Sequence, residues 1–329
     1  MIWQLCPGLF STLRRGPQRP ASRGYLAIVL GLLLLELIAV RAGRAQTGGE
    51  RPEFQWPIVK GTYPELKGLT STFGESRVDH FHNGLDIAGL GDPIYPVAPG
   101  YVLYSRVPGD DPFAGEQGPG NFVYLYHGKG WASGYYHLKD AGSLPRSGPV
   151  RLDQAIGRAG NTGHSGGPHL HFFISADNGS RIINPLYLLP PATDKHAPIV
   201  GQIEIITPNG RTLVSHSRDE RIRLTRSYPI LLRIIDPGLE KFTRRGVYRL
   251  SWELNGGERQ GYNFSSVRFI DGDWQLEGGQ VFDQVFQYDL YRLHGVEFRN
   301  GNNTLNVRAE DHGGNVTEVV FTINVDREY

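Results

Sequence analysis

The sequence predicts an all-β protein of two domains behind a short leader. Its 329 residues are enough to bury two cores of ordinary size. Gly (43) and Pro (22) are abundant, as expected where many turns separate short strands. Runs in which apolar and polar residues alternate recur along the chain, whereas no heptad pattern, internal repeat or long amphipathic helix stands out.

The leader is residues 1–45. Arg14, Arg15, Arg19 and Arg23 precede an apolar run from Tyr25 to Val40 that only Glu36 interrupts. Basic residues followed by such a run fit a signal peptide, with cleavage after Ala45 and small Gly43 just before the cut. The alternative is an N-terminal membrane anchor, with attachment through residues 25–40, although that run is short for a full span. Either way the bulk of the chain is expected to be exported, to the periplasm or cell envelope. Residues 1–45 hold six Arg and one Glu, a net +5, and the whole chain is +1, so the remainder carries −4. That balance argues against nucleic acid as a partner. The only Cys is Cys6, so the exported part can form no disulfide and offers no thiolate to a metal.

Residues 46–56 read as a polar linker. From 57 to 190 the chain is dense in Gly, aromatic residues and His, with β-type runs at Phe122 to Tyr126, Ala132 to His137 and His169 to Ser175. Pro190, Pro191 and the polar stretch to Pro198 mark a second linker, residues 191–198. Residues 199–329 then read as a β-sandwich of immunoglobulin-like architecture. Tyr248, Leu250, Trp252 and Leu254 alternate with Arg249, Ser251 and Glu253 before an Asn255-Gly256 turn, and Val319, Phe321, Ile323 and Val325 repeat the pattern near the end. Ala309 to Asn315 resembles a hairpin closure and is not read as a metal loop.

Seven of the eleven His residues fall between His80 and His171. His82-Asn83-Gly84-Leu85-Asp86 puts an imidazole and a carboxylate four residues apart, on one face of an extended chain, with Gly84 leaving the space between them open. His169-Leu170-His171 repeats the logic, with Leu170 directed into the core. Two His and one carboxylate suit a three-ligand catalytic zinc site that keeps a fourth position for water. Taken singly, each motif is weak; a lone His-x-His is usually a pair of surface or hydrogen-bonded residues.

The series Ser71-Thr72-Phe73-Gly74, His82 to Ala88, Tyr135-Tyr136-His137-Leu138, Ile156-Gly157, Gly160-Asn161-Thr162-Gly163, Gly167 to Phe172 and Ile183-Asn184-Pro185 resembles the lysostaphin-type, or LytM-like, zinc metalloendopeptidases. The resemblance covers residues 71–189. It implies an antiparallel β-sheet catalytic domain with a groove, and one zinc ion on His82, Asp86 and His171. It also implies that His137 and His169 remain unligated, as general base and oxyanion stabiliser in an order left open. The substrate it implies is the peptide cross-links of bacterial peptidoglycan. Two alternatives stand beside that reading: a catalytically idle protein that binds wall or activates a hydrolase, and a peptidase acting on an envelope protein. The C-terminal domain is expected to be either a spacer or a docking module for wall polymer or an envelope protein partner.

Three features depart from the family pattern: an inserted loop from Val107 to Gly120, Phe173 where many relatives have Glu, and His164 in place of a smaller polar residue. The loop could cap the groove. His80 and His127 read as structural or surface residues, and Asp110 and Asp111 as solvated loop residues.

Overall fold

In the computed structural model the described residues are 51–58, 68–106, 118–139, 145–208, 210–237 and 244–327. The leader, residues 46–50 of the first linker, Asp110, Asp111 and the greater part of the Val107 to Gly120 loop lie outside them. Among the described residues no helix is long and apolar enough to cross a membrane.

The protein is almost entirely antiparallel β-structure. The expected runs form the strands Asn121–Gly128, Trp131–Leu138 and His169–Ala176. They lie side by side at the centre of a ten-stranded sheet, flanked by Gly100–Arg106 and Pro149–Val150 on one side and Arg181–Ile183 on the other. Leu85–Ala88 pairs with the first half of His169–Ala176, and Leu69–Ser71 pairs with Leu85–Ala88. Alternation sorts the two faces of this sheet. Leu85, Ile87, Val123, Leu125, Tyr135, Leu170, Phe172 and Ile174 are buried in one core. The residues between them, which include Asp86, Tyr124, Tyr136, His169, His171 and Phe173, are left for the opposite face.

Residues 199–327 build two further sheets. One contains Gly210–Val214, Ile199–Thr207, Ile230–Pro237, Leu290–Arg292 and Phe286–Gln287, with Arg244–Arg245 paired to the end of Ile230–Pro237. The other contains Glu220–Leu224, Val316–Arg327, Gly301–Glu310, Arg249–Leu254 and Gln260–Asn263. Both contribute to a single core, Ile203, Ile205, Leu232 and Ile234 from one sheet and Leu250, Trp252, Val307, Phe321 and Ile323 from the other. The alternation read in the sequence accounts for this burial: Leu250 and Trp252 point inward while Arg249 is exposed.

One hairpin of the C-terminal stretch does not join the sandwich. Ser266–Ile270 pairs with Arg181–Ile183, and Asp273–Leu276 lies beyond it, so both strands extend the ten-stranded sheet. Phe73, Phe81, Phe173 and Ile182 from the first half of the chain belong to the same apolar cluster as the sandwich core. Residues Pro52–Tyr329 accordingly form one compact unit. The change in texture at 191–198 is a change of topology without a break in packing: the Pro198 carbonyl accepts from Thr317 Oγ1 at 2.6 Å, and Asp194 is ion-paired to Arg245.

Candidate metal centre and active site

Antiparallel register sets Asp86 directly opposite His171, and His171 opposite Tyr136 on its other side. Facing residues in such a pair project their side chains to the same face. His82 arrives from the irregular segment before Leu85–Ala88, not from a continuous strand. Its Nε2 lies 3.1 Å from Asp86 Oδ1 and 3.1 Å from His171 Nδ1, and His171 Nδ1 lies 2.9 Å from Asp86 Oδ1. Gly84 matters for a reason other than the open space expected from sequence. A Cβ there would sit 2.4 Å from the Phe172 carbonyl oxygen and 3.0 Å from His171 Nε2, so the glycine permits the two backbones to approach.

Tautomers follow from the partners. His82 Nδ1 donates to the Thr72 carbonyl at 2.6 Å, which leaves the Nε2 lone pair facing the other two groups. Burial holds the His171 imidazole down to a pKa of about 4, and hydrogen bonding to Asp86 offsets this only in part. Burial also acts against an ionised Asp86, but the neighbouring His82 and His171 imidazoles outweigh it and hold the carboxyl well below its usual range. The three groups therefore offer a carboxylate and imidazole nitrogens within one small triangle. Zinc with bonds of ~2.0–2.2 Å in a tetrahedron would separate such atoms by about 3.3–3.5 Å, so opening the triangle by a few tenths of an ångström suffices. The donor set fits zinc, and uptake would displace any proton on His171 Nδ1.

His137 and His169 stand beside this triangle, with ring centroids 4.8 Å apart. His137 Nδ1 donates to the Thr162 carbonyl at 2.7 Å, and His169 Nδ1 donates to the Gly167 carbonyl at 2.7 Å. Both rings thus keep Nε2 for the site, and His169 Nε2 lies 3.6 Å from Asp86 Oδ1. Burial lowers the pKa of His137. Its backbone sits at φ 61°, in the left-handed region, which breaks the strand alternation and lets Tyr136 and His137 line the same cavity. The Tyr136 ring stacks on His171 at 5.2 Å.

The cavity around these groups has a volume of about 730 Å³, and Arg77, His80 and His164 also line it. Exposed His80 pairs with Asp79 at 2.6 Å. His127 is held away from the cavity by the Pro99 carbonyl and the Ser133 hydroxyl. A second cavity of about 530 Å³ shares Asn83 and Tyr136 with the first and runs over Tyr124, Tyr126, Phe173 and Ser175 to Trp274 of the added hairpin. Among the described residues no charged side chain lines it. Phe173 is part of that uncharged floor.

Sequence reading missed Arg77, Glu75 and Trp274. Arg77 Nη2 donates to Asp86 Oδ2 at 2.8 Å, and Arg77 Nη1 donates to Glu75 Oε2 at 3.3 Å. An Arg two residues from a Glu in a turn has no distinguishing spacing, so only the fold reveals this relay. Also unforeseen is a second gathering of ligating groups, Asp194, Asp236 and Asp311.

An all-β sheet presenting two imidazoles and a carboxylate in a cleft is a candidate metal centre. The comparisons sharpen this: residues 80–185 match the model of Peptidase family M23, and the chain therefore carries an M23 domain. A second family model matches residues 198–326. The peptidoglycan DD-endopeptidase ShyA of Vibrio cholerae serotype O1 is 37 % identical over 92 residues, 28 % of this chain and 19 % of that protein. The cell division protein DipM of Caulobacter vibrioides is 27 % identical over 168 residues, 49 % of this chain and 25 % of that protein. The chain thus spans a quarter or less of the length of these two relatives. Among solved structures, a zinc-containing peptidase from Vibrio cholerae is 28 % identical, with a TM-score of 0.33 over 41 % of this chain and 39 % of that one.

Proposed function

We propose that the protein is an exported zinc metalloendopeptidase that hydrolyses peptide cross-links of bacterial peptidoglycan. The observation that carries this reading is the convergence of His82 Nε2, Asp86 Oδ1 and His171 Nδ1 beside two further imidazoles. The DD-endopeptidase named among the relatives supports the substrate class. Export rests on the basic and apolar leader, followed by release or by anchoring through residues 25–40.

In this reading His82, Asp86 and His171 hold one zinc ion. Zinc, when bound, supplies Lewis acidity towards a carbonyl oxygen and towards water. His137 acts as the general base, because burial keeps it neutral and its Nδ1–H is committed to Thr162, which leaves the Nε2 lone pair to take a proton. His169 is then left as the oxyanion stabiliser, its ring held at the site by the bond from Nδ1 to the Gly167 carbonyl. The uncharged cavity takes the part of the substrate beyond the scissile bond, against aromatic faces and the amides of Asn83 and Asn178.

The test is digestion of purified peptidoglycan, with muropeptides identified by mass spectrometry. Fragments that disappear in chelator and return with zinc are expected. Binding of wall without release of fragments would replace the enzyme with an idle wall-binding protein, and cleavage of envelope proteins alone would replace the substrate.

A further inference from the structure

We propose that the C-terminal region is a positioning element of the metal centre, acting through the backbone N–H of Gly246 on Thr72 and Glu75. This rests on the assignment of His82, Asp86 and His171 as zinc ligands.

Two of the three ligands are oriented by one turn, residues 71–77. The Thr72 carbonyl accepts from His82 Nδ1 and so fixes the tautomer that turns Nε2 to the metal. Arg77 Nη2 bridges Ser71 Oγ at 2.6 Å and Asp86 Oδ2 at 2.8 Å, which occupies one carboxylate oxygen and presents the other, Oδ1, to the two imidazoles. A guanidinium this near a cation repels it unless another charge compensates, and Glu75 provides that charge.

Glu75 is held in turn from across the molecule. The Gly246 N–H donates to Thr72 Oγ1 at 2.9 Å and to Glu75 Oε1 at 3.1 Å. Thr72 Oγ1 donates to the same Glu75 oxygen at 2.8 Å, and Thr72 N also donates to it. One N–H from the C-terminal region therefore ties together the residue that orients His82 and the residue that neutralises Arg77. Gly246 is itself immobilised, because Arg244–Arg245 pairs with the end of Ile230–Pro237 and buried Arg245 is ion-paired to Asp194 at 2.8 Å. The fit is close: a Cβ on Gly246 would lie 2.9 Å from Glu75 Cγ. A second contact braces the same turn. Gly74 has φ +83°, and a Cβ there would lie 2.5 Å from Phe264 Cδ1, so the C-terminal core presses directly on the turn.

The experiment measures zinc affinity of the full chain by competition with a chromophoric chelator, together with the visible spectrum of the cobalt-substituted protein. Glu75→Gln, nearly isosteric, and Gly246→Ala are each expected to lower zinc affinity by about 10- to 100-fold, the usual scale for an outer-shell partner. Thr72→Val should do the same and Thr72→Ser should restore affinity, because the hydroxyl returns. The cobalt spectrum should change in shape in Glu75→Gln, which a general loss of stability would not produce in a protein with an unaltered melting transition. If Gly246→Ala does not fold, Glu75→Gln and the Thr72 pair carry the result alone. Tight zinc binding by the wild type, with these variants folded and within twofold of it, would overturn the inference and leave the proposed function standing. A wild-type chain that takes up no zinc would overturn both.

Discussion

Among the described residues two places gather three side chains that could ligate a metal, and they are built on opposite plans. At His82, Asp86 and His171 the ligand atoms face one another at the floor of a cleft, and the second atoms of His82 and Asp86 are tied to Thr72 and Arg77 behind. In the cluster of Asp194, Asp236 and Asp311, Asp194 and Asp311 are turned towards partners already in the chain. Arg245, with almost no exposed side chain, donates to Asp194 Oδ2 at 2.8 Å, and Asp311 accepts from the backbone and side chain of Asn315, both at 2.8 Å. The first arrangement leaves lone pairs aimed at a common point. The second supplies its own cation. Proximity of ligating residues is therefore not the sign of a metal site; the direction of their lone pairs and the access to solvent are.

Exchange of the ligands is the sharpest way to break this comparison. His82→Ala, Asp86→Ala or His171→Ala should abolish bound zinc and hydrolysis, because two remaining ligands do not make a catalytic site. Asp311→Asn should leave zinc content unchanged. Metal analysis of the purified variants checks both halves, and a loss of zinc in the Asp311 variant would mean that the second cluster holds metal too.

The groups beside the first triangle separate chemistry from metal binding. His137→Ala and His169→Ala should retain zinc but reduce turnover by roughly 10²-fold or more, the scale of a lost acid–base group. Undiminished turnover by either would remove the role assigned to it.

The legibility of the two clusters in the sequence differs for a physical reason. His82, Asp86, His169 and His171 were readable because their spacings are short, and the strands of Asp86, His169 and His171 pair directly. His137 was readable only through the resemblance, since its positive φ breaks the alternation that a strand pattern would impose. Asp194, Asp236 and Asp311 come from a linker, a strand and a turn more than forty residues apart, and each carboxylate looks like an ordinary solvated charge until the fold buries it. The destination of the 266–276 hairpin was hidden likewise. Ser266–Ile270 has no burial alternation, and its residues do not tell which sheet the strand joins. The segment Ala309 to Asn315 was read as a hairpin closure, and its turn joins the paired strands Gly301–Glu310 and Val316–Arg327.

A smaller effect tests the self-contained plan of the second cluster. Replacing Arg245 by Leu strips Asp194 of its cation while keeping an apolar side chain in the space. Breaking one partner of a buried pair costs about 3–5 kcal/mol, since the remaining carboxylate is left uncompensated. Urea unfolding should show a loss of that size. A loss under about 1 kcal/mol, the scale of an exposed pair, would mean that water already serves Asp194.

The smallest effect is a change of slope. Asp236 is buried, its Oδ1 has no hydrogen-bond partner, and burial, with the Asp194 carboxylate adding to it, pushes its pKa up to about 8 despite Arg245. A carboxyl with a raised pKa in the fold keeps a proton that the unfolded chain releases at about pH 4. Between about pH 4 and 8 the native state therefore binds more protons than the unfolded state, so this group makes stability fall as pH rises. His312 acts in the opposite sense over an overlapping range: burial lowers its pKa to about 3, so the unfolded chain binds the extra proton below about pH 6.5 and stability rises with pH there. Asp236→Asn removes the first contribution and leaves the second. Relative to the wild type, the variant should gain stability steadily from pH 5 to pH 8, as read by urea unfolding at several pH values. Equal slopes for the two proteins would mean that Asp236 is ionised in the fold at neutral pH. Arg245 would then be shared among three charges, and the second cluster would be closer in kind to the first.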